Sequence, residues 1–296
     1  MNKSCLIGFL MCSAFSLVVQ AATDGAHITK TISQNERKKG IKRTIQYRPD
    51  GNDFVCVNGK NRYTRALYGG ITDFRIETSD RPVFAAYKPK DSKHICFRLQ
   101  CGNQSIALDS LKFCEARYRA GRRTYRLIDP LLGKGELNIS VLAFPDTEGG
   151  IWRFTMKDMP EGALLHCYIS EIRAKNLSRN GDMGADRADS FDAPQLPKEQ
   201  KHYKLSLDET TAYIVVEDQE LRLPTLVEGT SLYDKSEKWR SEIESSLQIS
   251  TPDPYFNPLG GALAAAADGI WDGKIWLHGA IGWRSQLNGW RAAYIG

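Results

Sequence analysis

The chain has 296 residues and a formal net charge of +5, too small at this length to single out a polyanionic partner. Lysine and arginine alternate with aspartate and glutamate, and the one basic cluster, Arg37-Lys38-Lys39 with Lys42-Arg43, reads as a solvated arm, so no nucleic-acid partner is expected. Seven cysteines without a C-x-x-C pair and five scattered histidines give no metal-ligand spacing, and neither a metal nor a cofactor is expected.

The first 21 residues read as a secretory signal peptide. Lys3 supplies the positive end, Leu6 to Val19 is uncharged and largely apolar, and Val19-Gln20-Ala21 puts a small residue before the cut. That run is too short to span a bilayer as a resident helix, and no later segment stays apolar for about 18 residues, so no membrane span is expected. Cys12 offers lipidation as a competing reading, against which Met11 stands where a small residue is wanted. The expected mature protein is periplasmic or secreted and begins near Ala22. It keeps Cys56, Cys96, Cys101, Cys114 and Cys167, an odd set that requires a free thiol or an intermolecular bond. Cys96 and Cys101 could pair across a turn, but Cys56, Cys96, Cys114 and Cys167 sit in apolar strand-like runs, where buried unreactive thiols are expected.

From about Thr44 to Leu226 the chain reads as strand after strand. Arg62–Tyr68, Ile71–Ile76, Glu136–Val141, Ile151–Met156 and Lys201–Leu205 alternate apolar and polar at period two. Pro49-Asp50-Gly51, Asn58-Gly59, Gly69-Gly70 and Glu148-Gly149-Gly150 supply turn chemistry between runs. The pattern predicts half-buried antiparallel strands assembled into a large β-sandwich. Asn176 to Lys198, rich in Gly, Asp, Arg and Pro, reads as one long loop. Its acidic residues Asp182, Asp186, Asp189 and Asp192, with Arg187 among them, do not fit the spacing of an EF-hand, so a solvated or substrate-lining loop is expected over a calcium site.

The period then changes to helical. Asp234 with Glu237 is read as a capping box, and Trp239, Ile243 and Leu247 recur at helical spacing. Thr251-Pro252-Asp253-Pro254 stops that helix. A second, alanine-rich helix is expected from about Pro258 to Trp271, apolar on more than one face and therefore in need of helical neighbours. The chain ends at Arg291-Ala292-Ala293-Tyr294-Ile295-Gly296 without closing turn chemistry, and is expected to be the opening of a longer domain. The expected division is a signal peptide at 1–21, a sandwich at 22–230, a linker helix at 231–250 and the start of a helical domain at 251–296.

Several motifs carry a resemblance. They are Thr251-Pro252-Asp253-Pro254-Tyr255, Trp276-Leu277-His278-Gly279-Ala280-Ile281-Gly282-Trp283-Arg284 and Leu287-Asn288-Gly289-Trp290-Arg291-Ala292-Ala293-Tyr294. Upstream, Arg65-Ala66-Leu67-Tyr68-Gly69-Gly70, Arg81-Pro82-Val83-Phe84-Ala85, Tyr118-Arg119-Ala120-Gly121-Arg122, Asp129-Pro130-Leu131-Leu132-Gly133 and Gly181-Asp182-Met183-Gly184-Ala185-Asp186 belong with them. Together they resemble a secreted bacterial family of unknown function placed among the six-hairpin glycosidases. The resemblance implies a mainly β chain with α: an antiparallel β-sandwich followed by the first helices of an incomplete (α/α)6 toroid. It also implies a fragment of an exported glycoside hydrolase acting on a poly- or oligosaccharide, with weak or no activity alone. A non-enzymatic carbohydrate-binding sandwich is the alternative.

Glycoside hydrolysis commonly needs two carboxyls facing one bond. Asp253, Asp268 and Asp272 are the candidates near the helices, and none forms a matched pair by spacing, so no catalytic residue is assigned. Asp268 and Asp272 read as cap or surface residues, and Asp253 as a rigid corner that could also touch sugar. A saccharide subsite is argued from tryptophan. Four of the six, Trp271, Trp276, Trp283 and Trp290, fall within twenty residues, and flat indoles can cover pyranose C–H faces. Trp283-Arg284 recurs as Trp290-Arg291, and the arginines could fork onto hydroxyls or a sugar carboxylate. The expected carbohydrate contacts are Asp253, His278, Trp283, Arg284, Asn288, Trp290 and Arg291; the competing reading makes the tryptophans core.

Overall fold

The structure, a computed structural model, describes residues 46–88, 92–171 and 202–277. The signal peptide, the 176–198 loop and the stretch from His278 onward lie outside the described residues.

Two antiparallel sheets form the body. One runs in the order β1 (Arg48–Asp50), β2 (Asp53–Val57), β8 (Phe113–Arg119), β9 (Arg122–Ile128), β10 (Glu136–Ala143), β11 (Gly149–Lys157), β14 (Thr211–Glu217) and β15 (Glu220–Arg222). The other runs β13 (Tyr203–Ser206), β12 (Leu164–Glu171), β6 (Lys93–Cys101), β5 (Phe84–Tyr87), β4 (Arg75–Thr78) and β3 (Arg65–Tyr68), with β7 (Gln104–Ala107) also on β6. The strand β6 changes its lateral partner. Lys93–Ile95 pair with β5 and Arg98–Cys101 with β7, so on that edge Cys96 and Phe97 face a fork between the two.

The sheets close on one apolar core. Phe84 of the second sheet packs edge-to-face on Tyr125 and Trp152 of the first, with centroids 5.6 and 5.7 Å apart, and Phe97 meets Phe154 at 5.5 Å. Alternation explains the assignment. In β10, Leu137, Ile139, Val141 and Ala143 enter the core, while Ser140 and Leu142 point the other way. Those outward positions are buried as well, because the helix α1 (Leu226–Ser245) lies across β10, β11 and β14. Strands covered on both faces become continuous apolar runs, such as Ile214-Val215-Val216. Each fully buried large aliphatic or aromatic side chain contributes about 1.5–3 kcal/mol over its exposed state.

The helices differ from expectation in detail. The first begins earlier than 231. Thr225 caps it by accepting the Glu228 N–H at 3.2 Å, and Asp234 and Glu237 lie inside the helix rather than forming its capping box. Its buried face carries Gly229, Tyr233, Ser236 and Arg240, a mostly polar stripe, whereas Trp239, Ile243 and Leu247 are only half-buried. It ends at Ser245, before the prolines, with Ser245 and Ser246 hydroxyls donating to the carbonyls of Glu242 and Ile243. The second helix, α2 (Leu259–Asp268), is shorter than the expected 258–271. Its close approach to α1 comes from glycine rather than alanine. A Cβ on Gly261 would lie 2.8 Å from Cγ of Glu244, and one on Gly260 2.7 Å from the Leu247 carbonyl oxygen. Leu263 stays exposed, while Ile270 packs against the buried cluster of Tyr63, Ala85 and Tyr87. No helix among the described residues is long and apolar enough to cross a membrane.

Strand bounds also shift. Arg62–Thr64 and Ile71–Phe74 precede β3 and β4 rather than belonging to them. Gly69-Gly70 is the place where the second sheet's chain passes the β10–β11 connection at van der Waals distance. A Cβ on Gly69 would sit 2.0 Å from the Phe144 carbonyl oxygen, and one on Gly70 1.8 Å from that of Pro145. That motif is a close backbone crossing rather than a hairpin turn.

Candidate functional site

The upstream motifs quoted for the resemblance that fall within the described residues do structural work. Asp129 accepts the N–H groups of Leu131 and Lys112 at 2.9 and 2.7 Å, fixing a 3-10 turn. Arg81 donates to the carbonyls of Gly59, Asp109 and Leu111, tying three loops together. Tyr118-Arg119-Ala120-Gly121-Arg122 makes the tip of the β8–β9 hairpin, with Gly121 at φ +82°. That tip clamps α1 through a ladder of alternating charge. Arg119 donates to Glu244 at 2.7 Å and Arg240 to Glu244 at 2.7 Å. Arg240 also meets Glu237 at 2.7 Å, and Arg122 reaches the same carboxylate at 2.8 Å. Arg240 further donates to the Ala120 carbonyl at 3.1 Å. Burial works against the charge on Glu244, but hydrogen bonds from Arg240 and Arg119 outweigh it and hold the carboxyl below its ordinary range.

The ladder separates two cavities at the junction of sandwich and helices. The larger is an open cleft of about 360 Å³ between the β1–β2 turn, Arg119, the end of α1 and the start of α2. Its walls offer amides and hydroxyls. Asn52, Gln248 and Ser250 line it with side chains that make no hydrogen bond among the described residues, and Leu247 and Ile249 add half-buried apolar surface. Neutral donors and acceptors beside an apolar strip suit an uncharged polyhydroxylated ligand.

The smaller cavity, about 10 Å³, has room for about one water. Tyr68, Tyr118, Trp239, Arg240 and Asp268 line it. The Asp268 carboxyl forms no hydrogen bond or ion pair among the described residues. It sits at the C-terminal end of α2, where the helix dipole disfavours negative charge, and burial pushes its carboxyl up from the ordinary value of 3.8. A carboxyl whose folded pKa is raised costs nothing below its unfolded pKa. The penalty grows as pH rises through the raised value and is complete at neutrality. Asp268→Asn is therefore expected to raise the melting temperature modestly at pH 7, with the gain disappearing near pH 3.5. A gain of equal size at both pH values would refute the desolvated-carboxyl account.

Of the residues expected from sequence to touch sugar, only Asp253 lies among the described residues. Its Oδ1 accepts the Tyr255 N–H at 2.9 Å, and its carbonyl accepts the Thr251 hydroxyl, so it closes the turn ahead of α2. His278, Trp283, Arg284, Asn288, Trp290 and Arg291 lie outside. Trp271 and Trp276 meet at a tilt of 49° with centroids 4.5 Å apart, and neither lines the two junction cavities. Asp272 accepts the N–H groups of Lys274 and Ile275, capping the turn between those tryptophans. The five cysteines among the described residues are free, and Cys56, Cys96, Cys114 and Cys167 are buried. Burial raises the thiol of Cys96 to about 11 and that of Cys114 to about 12, leaving both unreactive near neutral pH. Cys96 and Cys101 do not pair. Among the described residues no group of three or more His, Cys, Asp or Glu is placed to hold a metal ion.

Sequence reasoning missed the ladder and the cleft beside it. The signal was present in Arg119 and Arg122 straddling a glycine turn, and in Glu237, Arg240 and Glu244 sharing one helical face.

Residues 89–220 match the family model described as a domain of unknown function, DUF4450. The match runs from just ahead of β6 to the start of β15. It takes in neither helix, and no glycosidase kinship is part of it. No curated protein matches the chain.

Proposed function

We propose that the chain is an exported carbohydrate-binding protein of glycoside-hydrolase type, whose sandwich–helix junction grips a neutral stretch of a poly- or oligosaccharide. The observation that carries the reading is the 360 Å³ cleft, with Asn52, Gln248 and Ser250 presenting unused amide and hydroxyl groups beside Leu247 and Ile249. Its volume lies at the lower end of the about 300–1,000 Å³ typical of small-molecule sites, enough for a short saccharide segment. Export rests on the signal-like first 21 residues, and the glycosidase type and its helical toroid on the sequence resemblance.

Binding is favoured over cleavage for the described part. Glu244 lines the cleft but is held ionised by two arginines, which suits neither a general acid nor a free nucleophile. Asp268, the carboxyl better able to keep a proton, lines the other cavity. The two do not flank one bond as hydrolysis requires.

The test is a saccharide array followed by calorimetry on the purified protein. A neutral saccharide class is expected to bind. Ser245→Trp, an exposed position on the cleft wall, should weaken that binding about tenfold or more with an unchanged melting curve. Absence of any bound saccharide, or affinity untouched by Ser245→Trp, would remove the reading.

A further inference from the structure

We infer that Arg119 makes the junction cleft selective for linkage, by forking its two terminal nitrogens onto a pair of adjacent hydroxyls on one sugar ring. The cleft then takes neutral glycans whose linkage leaves two neighbouring ring hydroxyls free, as 1,4- and 1,6-linkage do, and refuses the interior of 1,3-linked chains. The inference rests on the carbohydrate reading of that cleft and adds to it the residue that selects and the linkage selected.

The strand and the ladder together aim the side chain. Arg119 is the last residue of β8 and lines the cleft with 38% of its side chain exposed. Its Nε donates to Oε1 of Glu244 at 2.7 Å, which anchors one edge of the guanidinium. The other oxygen of Glu244 is taken by Arg240 at 2.7 Å, so the carboxylate does not reach further round Arg119. Nη1 and Nη2 of Arg119 have no partner among the described residues. With a carboxylate already on Nε, what the free edge adds is two parallel donors rather than an unpaired charge.

Two neighbouring arginines show that this is particular to Arg119. Arg117, two residues earlier and so on the same face of β8, engages Glu115 through Nε and both Asp50 and Asp53 through Nη1, which breaks its fork. That pairing also draws the acids of the β1–β2 turn away from the cleft, where Asn52 of the same turn stands. Arg126 resembles Arg119 in giving only Nε to a carboxylate, that of Glu136, but it lies over the Phe113 ring and lines none of the cavities.

Adjacent hydroxyls suit such an edge because two oxygens side by side accept two parallel N–H bonds, and each hydroxyl keeps its proton to give. Asn52, Gln248 and Ser250 line the same cleft with side-chain oxygens that can receive those protons. A 1,3-linked residue inside a chain has its middle oxygen tied to the next ring, so no adjacent pair of free hydroxyls remains, and a fork placed there is left half unpaired.

Calorimetry on the purified protein tests this with cellohexaose, 1,4-linked mannohexaose and isomaltohexaose against laminarihexaose, all neutral and of one length. At least one of the first three is expected to bind about tenfold or more tightly than the 1,3-linked chain. Arg119→Met should bring that ligand down to the level of laminarihexaose, and Arg119→Lys should not restore the difference, since an ammonium is a point donor without the fork. Arg126→Met should leave every affinity unchanged. Laminarihexaose binding as tightly as the others, a preference that survives in Arg119→Met, or one that Arg126→Met erases equally overturns the inference. In those cases the junction reading stands if binding is still lost in Ser245→Trp. If no neutral saccharide binds, or binding ignores Ser245→Trp, the junction reading itself falls and the inference falls with it.

Discussion

Asp80→Ala is expected to cost about 3–5 kcal/mol of folding stability, because it strips the counter-charge from a fully buried arginine. Both side chains of the Asp80–Arg123 pair have no solvent exposure. Their nearest approach is 3.8 Å, an ionic contact rather than a hydrogen bond. The aspartate instead collects neutral donors. Its Oδ2 accepts Gln46 Nε2 at 2.6 Å and the Asn61 N–H at 3.0 Å, and its Oδ1 accepts the hydroxyls of Tyr47 and Thr64. Arg123 donates to the Ser79 carbonyl at 2.9 Å, while its Nε and Nη1 have no partner among the described residues. The arginine is therefore under-satisfied already, and long-range attraction to Asp80 is what offsets its desolvation. Alanine at 80 would leave that charge without compensation and orphan the donors around it. A double-mutant cycle by denaturant unfolding checks the account. Arg123→Met alone should cost much less than Asp80→Ala, and adding Arg123→Met to Asp80→Ala should recover much of the loss. Costs that simply add would mean the two residues act independently, contrary to the expectation.

The sandwich was legible in the sequence because its strands obey period two wherever one face is wet. Glu136–Val141 and Ile151–Met156 fall within β10 and β11, where the outward Glu136, Asn138, Arg153 and Thr155 are only half-buried. Where α1 covers the second face, the alternation dissolves into runs such as Ile214-Val215-Val216, and only the tertiary arrangement explains them. The helix start was misread because Asp234 and Glu237 have the spacing of a capping box, whereas the true cap, Thr225 with Glu228, follows Pro224 in a stretch that still looked like strand. Its buried face was misread for a related reason. A helix that docks through ion pairs and Tyr233 carries little apolar moment, so periodicity pointed to Trp239, Ile243 and Leu247 instead. The fork was invisible, since nothing local announces that one edge of Lys93–Cys101 serves two strands. Of the tryptophan subsite, the sequence showed composition and not geometry. Trp271 and Trp276 lie against each other with their rings tilted by 49°, and Trp271 stays exposed.

Arg240→Met is expected to lower stability by about 3 kcal/mol, while Arg119→Met, at the outer end of the same ladder, should cost about 1 kcal/mol or less. The difference comes from position rather than charge. Arg240 has 6% of its side chain exposed and holds two carboxylates and the Ala120 carbonyl, so its removal strands Glu237 and Glu244 with weaker partners. Arg119 keeps 38% exposure, and water replaces its single contact at little cost. Because the docked face of α1 has few apolar side chains besides Tyr233, the ladder rather than hydrophobic area should set how firmly the helix sits. Amide exchange along Tyr233 to Glu244 should therefore accelerate in Arg240→Met, while Leu137 to Val141 of β10 stays protected. Acid should mimic the substitution. The folded-state carboxyl of Glu244 lies below its ordinary value of 4.5, so its contribution is complete above that pH and is lost as pH falls through the lowered value. In Arg240→Met much of that acid sensitivity should vanish, since its principal cause has gone. Equal, small losses at Arg240 and Arg119, with exchange of α1 unaltered, would show that the helix is held by packing alone, and the junction cleft would then need another explanation for its fixed walls.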